Sequence, residues 1–135
     1  MSGDTVTSRN ALQFTNDNKV AYAYSGVIGV DTANTIMLEF NTNSEYLNAS
    51  IQIYNTSGSG DDIRYTIEFD NVVVMSQYIN NANDLPRNNP YIMAIPPFTN
   101  VKIRADNLSS ATARDHTTHV YAKVGMPQRV GNLDD

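Results

Sequence analysis

Both histidines of the chain lie in Asp115-His116-Thr117-Thr118-His119, the segment richest in metal-ligand chemistry. Two imidazoles and a carboxylate could begin a zinc site, which wants four nitrogen, sulfur or oxygen ligands. The chain has no cysteine and no third histidine, so the rest would be carboxylates from elsewhere. On a strand, positions i and i+3 have opposite parity, which sends the two rings to opposite faces. The pattern therefore reads as a turn histidine followed by a solvated strand histidine. Asp61-Asp62, with Glu68 and Asp70 downstream, offers hard oxygens suited to calcium, but the spacing matches no alternating-ligand calcium loop. Following Ser57-Gly58-Ser59-Gly60, these aspartates read as solvated turn residues. No metal and no cofactor is expected.

Catalytic patterns are also missing. There is no G-x-S-x-G elbow, P-loop or G-x-G-x-x-G, and the Ser57 to Gly60 run lacks a strand-to-helix context. A Ser-His-Asp set assembled in space stays open, because triads are defined by geometry and not by order. Glycoside cleavage needs one carboxyl group in an apolar pocket, whereas Glu39, Glu45 and Glu68 occupy polar-face or loop positions and read as solvating. The chain reads as no enzyme. Carbohydrate binding is the stronger small-ligand idea, since sugar rings dock on flat aromatic platforms and there are eight tyrosines, though no tryptophan. Tyr22, Tyr24 and Tyr65 hold core-parity positions, while Tyr54 and Tyr121 hold the opposite parity. The N-x-S/T triplets at Asn48, Asn55 and Asn107 matter only in a secreted context.

Composition narrows the partners. A formal charge of -5 argues against a phosphate-tracking surface, so nucleic acid is not expected. No run of about 18 apolar residues occurs, and the Met1-Ser2-Gly3-Asp4 start has neither a basic nor an apolar leader region. The expectation is a soluble chain, not exported and not in a membrane, folding without disulfides in a reducing compartment. Charged residues are only 17% of the chain, which suits extensive neutral contacts better than electrostatic steering.

The elements that must position these groups are strands. Ile36, Leu38 and Phe40 alternate with polar neighbours, as do Leu47, Ala49, Ile51 and Ile53, then Ile63, Tyr65, Ile67 and Phe69, then Val101, Ile103 and Ala105, then Val120, Ala122 and Val124. Period-two alternation with one face buried is the signature of antiparallel sheet. About eight strands are expected, at 20–30, 34–42, 47–54, 62–69, 72–79, 91–95, 101–106 and 117–124. The first is either buried on both sides or bent at Gly26 and Gly29. Asp70-Asn71 predicts a tight two-residue hairpin, and Pro96-Pro97 a corner that holds Ile95 extended. The fold class is an all-β, jelly-roll-like antiparallel sandwich. Residues 1–19 form an N-terminal arm, 20–125 the sandwich domain and 126–135 a polar tail. Residues 56–62 and 80–90 are long loops.

The hairpin Ile67-Glu68-Phe69-Asp70-Asn71-Val72-Val73-Val74, the strand 91–95, the double-proline corner and the strands 99–105 and 119–125 together resemble the small cysteine-free sandwich proteins that decorate the heads of tailed bacteriophages. The resemblance covers residues 60–125 and lies in turn placement and composition. It implies a cement protein made in the host cytoplasm, sitting on the capsid exterior as a homotrimer and bracing the major capsid protein. It also implies partner contacts at Arg9, Asn10, Leu12 and Phe14 of the arm, and at Arg87 and Tyr91 of the loop region. The alternative is a carbohydrate- or receptor-binding module of a viral fibre or spike.

Overall fold

The computed structural model describes residues 13–14, 19–56, 60–80, 90–109 and 111–125; at 13–14 the description is of the backbone. These form strands β1 (Gln13–Phe14), β2 (Val20–Tyr24), β3 (Ile28–Val30), β4 (Thr35–Asn41), β5 (Leu47–Asn55), β6 (Ile63–Phe69), β7 (Val72–Ile79), β8 (Tyr91–Ile95), β9 (Asn100–Asn107) and β10 (Arg114–Val124). No helix occurs among the described residues. One sheet has the order β4-β9-β6-β7, the other β1-β2-β10-β5-β8 with β3 also on β10, and every pairing is antiparallel.

If β2 and β3 are taken as one interrupted strand and β1 is set aside, the eight remaining strands in chain order pair as 1-8-3-6 and 2-7-4-5. That is the jelly roll, in which each half of the chain crosses repeatedly between two sheets. The interruption falls where the glycines suggested. Gly26 takes a positive φ of 73°, and Ser25 on its near side donates its backbone N–H to Thr118 O while Thr118 N donates to Ser25 Oγ. The chain then resumes as β3 against Arg114 to His116. This is why β10 begins at Arg114, earlier than the alternation alone indicates.

The Asp70-Asn71 hairpin is as expected: both residues have positive φ, 51° and 68°, the type I′ geometry that matches strand twist. At the proline corner, Thr42 Oγ1 donates to Pro96 O at 2.7 Å and accepts from Thr99 N at 2.8 Å, fastening the β8–β9 connection to the β4–β5 loop. The core between the sheets is apolar and close-packed. Phe40, Leu38, Ile67, Ile103 and Tyr65 from one side meet Ile51, Leu47, Val120, Ile95 and a row of alanines, Ala21, Ala23, Ala49 and Ala122, from the other.

That alanine row corrects one expectation. Tyr22 and Tyr24 are not in the core; they face outward and are exposed. Val20-Ala21-Tyr22-Ala23-Tyr24 is apolar at every position, so hydropathy does not set its parity. The pairing Ala21↔Ala122 and Ala23↔Val120 turns the small side chains inward and the rings out. Residues 1–12 and 15–18 of the arm, the greater part of the 80–90 loop, residues 57–59 and the 126–135 tail lie outside the described residues.

Candidate functional site

The catalytic candidates of the sequence are absorbed into structure. His116 is fully buried in β10, not in a turn, while His119 faces outward, so the two rings do leave on opposite faces. The His116 ring meets the Tyr65 ring edge-on at 5.9 Å and 74°, and its Nδ1 lies 3.1 Å from Arg114 O. Among the described residues His116 Nε2 and the Tyr65 hydroxyl are buried with no hydrogen-bond partner. Burial pushes the His116 pKa below 6.5, opposed by the smaller effects of the Arg114 carbonyl and the Asp115 charge. Burial likewise keeps the Tyr65 hydroxyl protonated.

Asp61 and Asp62 are not simply solvated turn residues. Asp61 Oδ2 accepts from Arg114 Nε at 2.8 Å and from Asn107 Nδ2 at 2.9 Å, tying the approach to β6 to the end of β9 and the start of β10. Asp62 Oδ2 accepts from the Tyr78 hydroxyl at 2.8 Å, which raises the Tyr78 pKa. Glu68 pairs with Arg104 at 3.0 Å, and Glu39 accepts from Asn100 Nδ2 at 3.0 Å, so these carboxylates bind strands together across the outer face of the four-stranded sheet. Among the described residues no group of three or more His, Asp or Glu side chains is placed to hold a metal.

Of the residues expected to contact a partner, Arg9, Asn10, Leu12 and Arg87 lie outside the described residues. The backbone of Phe14, in β1, pairs with Ala21 of β2, so this part of the expected arm is a short edge strand. Tyr91 opens β8, half-buried, and donates its hydroxyl to Gln77 Oε1 on β7. Burial raises its pKa.

That bond links the edge strands of the two sheets, β7 and β8. Both are conspicuously apolar. Val72-Val73-Val74-Met75-Ser76-Gln77-Tyr78-Ile79 carries no charge, nor does Tyr91-Ile92-Met93-Ala94-Ile95. Val72, Val73 and Val74 are 62, 56 and 46% exposed, and Ile92 is 74% exposed. A bulge explains the valines: Ile67 pairs with Met75 and Glu68 with Val73, so Val74 has no opposite residue and strict alternation breaks. The second sheet covers only part of β7, with Met75 and Ile79 packed on the core. At the proline corner, Phe98 is 76% exposed in the left-handed region, at φ 54°.

The outer face of the six-stranded sheet is a second distinctive surface. Tyr22, His119 and Tyr54 make a diagonal row across β2, β10 and β5, with ring centroids 6.1 and 5.8 Å apart and interplanar angles of 24° and 31°. Tyr24 and Tyr121 flank it, exposed. Parity identifies Tyr54 and Tyr121 from the sequence. It does not find the valines, Phe98 or the outward Tyr22 and Tyr24, although the lack of charge in 72–79 is a usable signal.

No protein-family model matches the chain, and no curated protein matches it. Among solved structures, the infectious bursal disease virus VP2 subviral particle aligns with a TM-score of 0.46 at 14% identity, over 79% of this chain and 33% of that chain. A family 35 carbohydrate-binding module from Clostridium thermocellum aligns with a TM-score of 0.40 at 16% identity, over 80% and 94%. A Paenibacillus cycloisomaltooligosaccharide glucanotransferase gives 0.38 at 13%, over 84% and 16%. The chain spans about a third of the length of the VP2 chain it matches. These likenesses are of architecture.

Proposed function

We propose that this chain is a non-enzymatic structural protein of a virion, a decoration protein that joins the capsid exterior and braces neighbouring subunits of the major capsid protein. The observation that carries the assembly reading is β7. An eight-residue edge strand without a single charge, exposed on both faces, is the kind of edge that proteins otherwise blunt with lysine, proline or a covering element. Its exposed valines make an apolar edge suited to a protein partner. The virion part of the reading rests on the resemblance of residues 60–125 to phage decoration proteins, because a jelly roll serves capsids and lectins alike and does not decide between them.

In this reading three copies associate, the β7–β8 side meets the shell or a sister copy, and weak contacts are multiplied by threefold multivalency. Function is mechanical: a protein that binds only the assembled shell stabilises it by mass action. Empty shells lacking the protein test this. Added protein should co-sediment with them, and the decorated shells should rupture at a higher temperature than bare ones. Failure to bind, with shells rupturing at the same temperature, would exclude the decoration role.

A further inference from the structure

We infer that the outer face of the six-stranded sheet is a binding site for a neutral oligosaccharide, laid along the Tyr22–His119–Tyr54 row. Three properties of the face select this ligand. The first is the rings. Tyr22 is stacked with His119 at 24° between planes and Tyr54 is tilted from it by 31°, so the row offers aromatic surfaces spread over three strands. The C–H faces of successive pyranose units pack on such a surface, and each tyrosine adds a hydroxyl at its rim.

The second is charge. Along β10 the outward positions are Asp115, Thr117, His119, Tyr121 and Lys123, so the two formal charges sit at the ends and the middle has none. Across from them β5 presents Asn48, Ser50, Gln52 and Tyr54, and β2 presents Tyr22 and Tyr24. The middle of this face, of phenols, amides and hydroxyls, has no cation cluster for phosphate or sulfate and no carboxylate for a basic peptide, but it complements a ligand whose polar groups are all hydroxyls.

The third is unused hydrogen bonding. The Tyr54 hydroxyl donates to Gln52 Oε1 at 2.9 Å, which orients the amide within the row. Among the described residues neither the Gln52 amide nitrogen nor the His119 ring nitrogens meets a hydrogen-bond partner. Polar atoms held in place beside aromatic faces fix a sugar's orientation, as few and well-placed polar groups do in small-molecule sites generally. The site lies on the outer face of the six-stranded sheet, to which β7 does not belong, and does not depend on the assembly role.

The test is titration of the intact chain with cellohexaose, maltohexaose and chitohexaose, followed by NMR of the aromatic ring protons. At least one of the three should give saturable shifts of Tyr22, His119 and Tyr54. Tyr22→Ala and Tyr54→Ala should each weaken it about tenfold, the loss expected when one stacked ring is removed. Tyr54→Phe should retain most of the affinity, and Val73→Ala, on the other sheet, all of it. Circular dichroism of each variant verifies that it folds. Absence of binding to all three probes at millimolar concentration overturns the inference. So does binding that the ring variants leave unchanged, or an oligomer in light scattering that Tyr22→Ala and Tyr54→Ala dissociate.

Discussion

Tyr91, at the start of one sheet's edge strand, donates its hydroxyl to Gln77 on the edge strand of the other, so the two sheets are latched through two strands that carry no charged residue. The latch fixes β7 and β8 relative to each other. Preorganisation of this kind lowers the entropic cost of binding a partner there.

Phe98 supplies a first prediction. Its left-handed φ is unfavourable for a residue with a Cβ by about 1–2 kcal/mol, and its exposed ring recovers nothing by burial in the isolated chain. Phe98→Gly should therefore stabilise the isolated protein, by up to about 1 kcal/mol after the extra freedom of glycine in the unfolded chain is deducted. Thermal unfolding measures this, and a lower melting temperature would show that the ring is held by the fold itself. Strain retained at an exposed aromatic residue points to use in a contact, so the same variant should bind shells more weakly.

Asp61 gives the second. Its carboxylate holds Asn107 and Arg114, which lie 46 and 53 residues further along the chain. Asp61→Ala should destabilise the fold by about 1–3 kcal/mol, the usual cost of leaving partly buried donors without their acceptor. Asp61→Asn, which keeps an acceptor, should cost less. Chemical denaturation separates the two, and equal losses would mean that the charge and not the hydrogen bonding matters.

The third concerns pH. Burial places the folded-state pKa of His116 below 6.5, so between that value and 6.5 the unfolded chain takes up a proton that the folded chain refuses. The contribution to stability is complete above about pH 6.5, falls as the pH drops through that window, and levels off below the folded value. His116→Phe should keep the edge-on contact with Tyr65 and remove this acid sensitivity. Urea unfolding of both proteins from pH 5 to pH 8 measures it, and parallel pH profiles would contradict the assignment to His116.

Much of the fold is legible in the residues alone. Strict alternation in Leu47–Asn55 and Ile63–Phe69 sets both the strands and their buried faces, because a polar residue at every second position leaves one orientation that buries carbon and wets the rest. Asp70-Asn71 announces its turn type through residues that tolerate positive φ. Tyr22 and Tyr24 lack such contrast, since alanine and tyrosine are both acceptable inside, and packing space across the sheet decides which of them is buried. The roles of Asp61 and His116 escape local reading because their partners lie tens of residues away, and only the jelly-roll crossing brings Arg114 to Asp61 and Tyr65 to His116. The valines of β7 belong to neither class: their run of apolar residues looks like a buried strand, and it is the end of the sheet order that leaves it exposed.

The central claim is that β7 is an assembly surface, and analytical ultracentrifugation of the intact chain beside Val73→Glu tests it most directly. Val73 is exposed but pairs with Glu68, so the glutamate should cost no more than about 1 kcal/mol of folding stability, checked by thermal melting. The account predicts that the parent chain sediments as a closed oligomer, or with shells when these are added, and that Val73→Glu remains a folded monomer that does neither. A parent chain that stays monomeric and ignores shells, or a Val73→Glu variant that assembles as well as the parent, would contradict it.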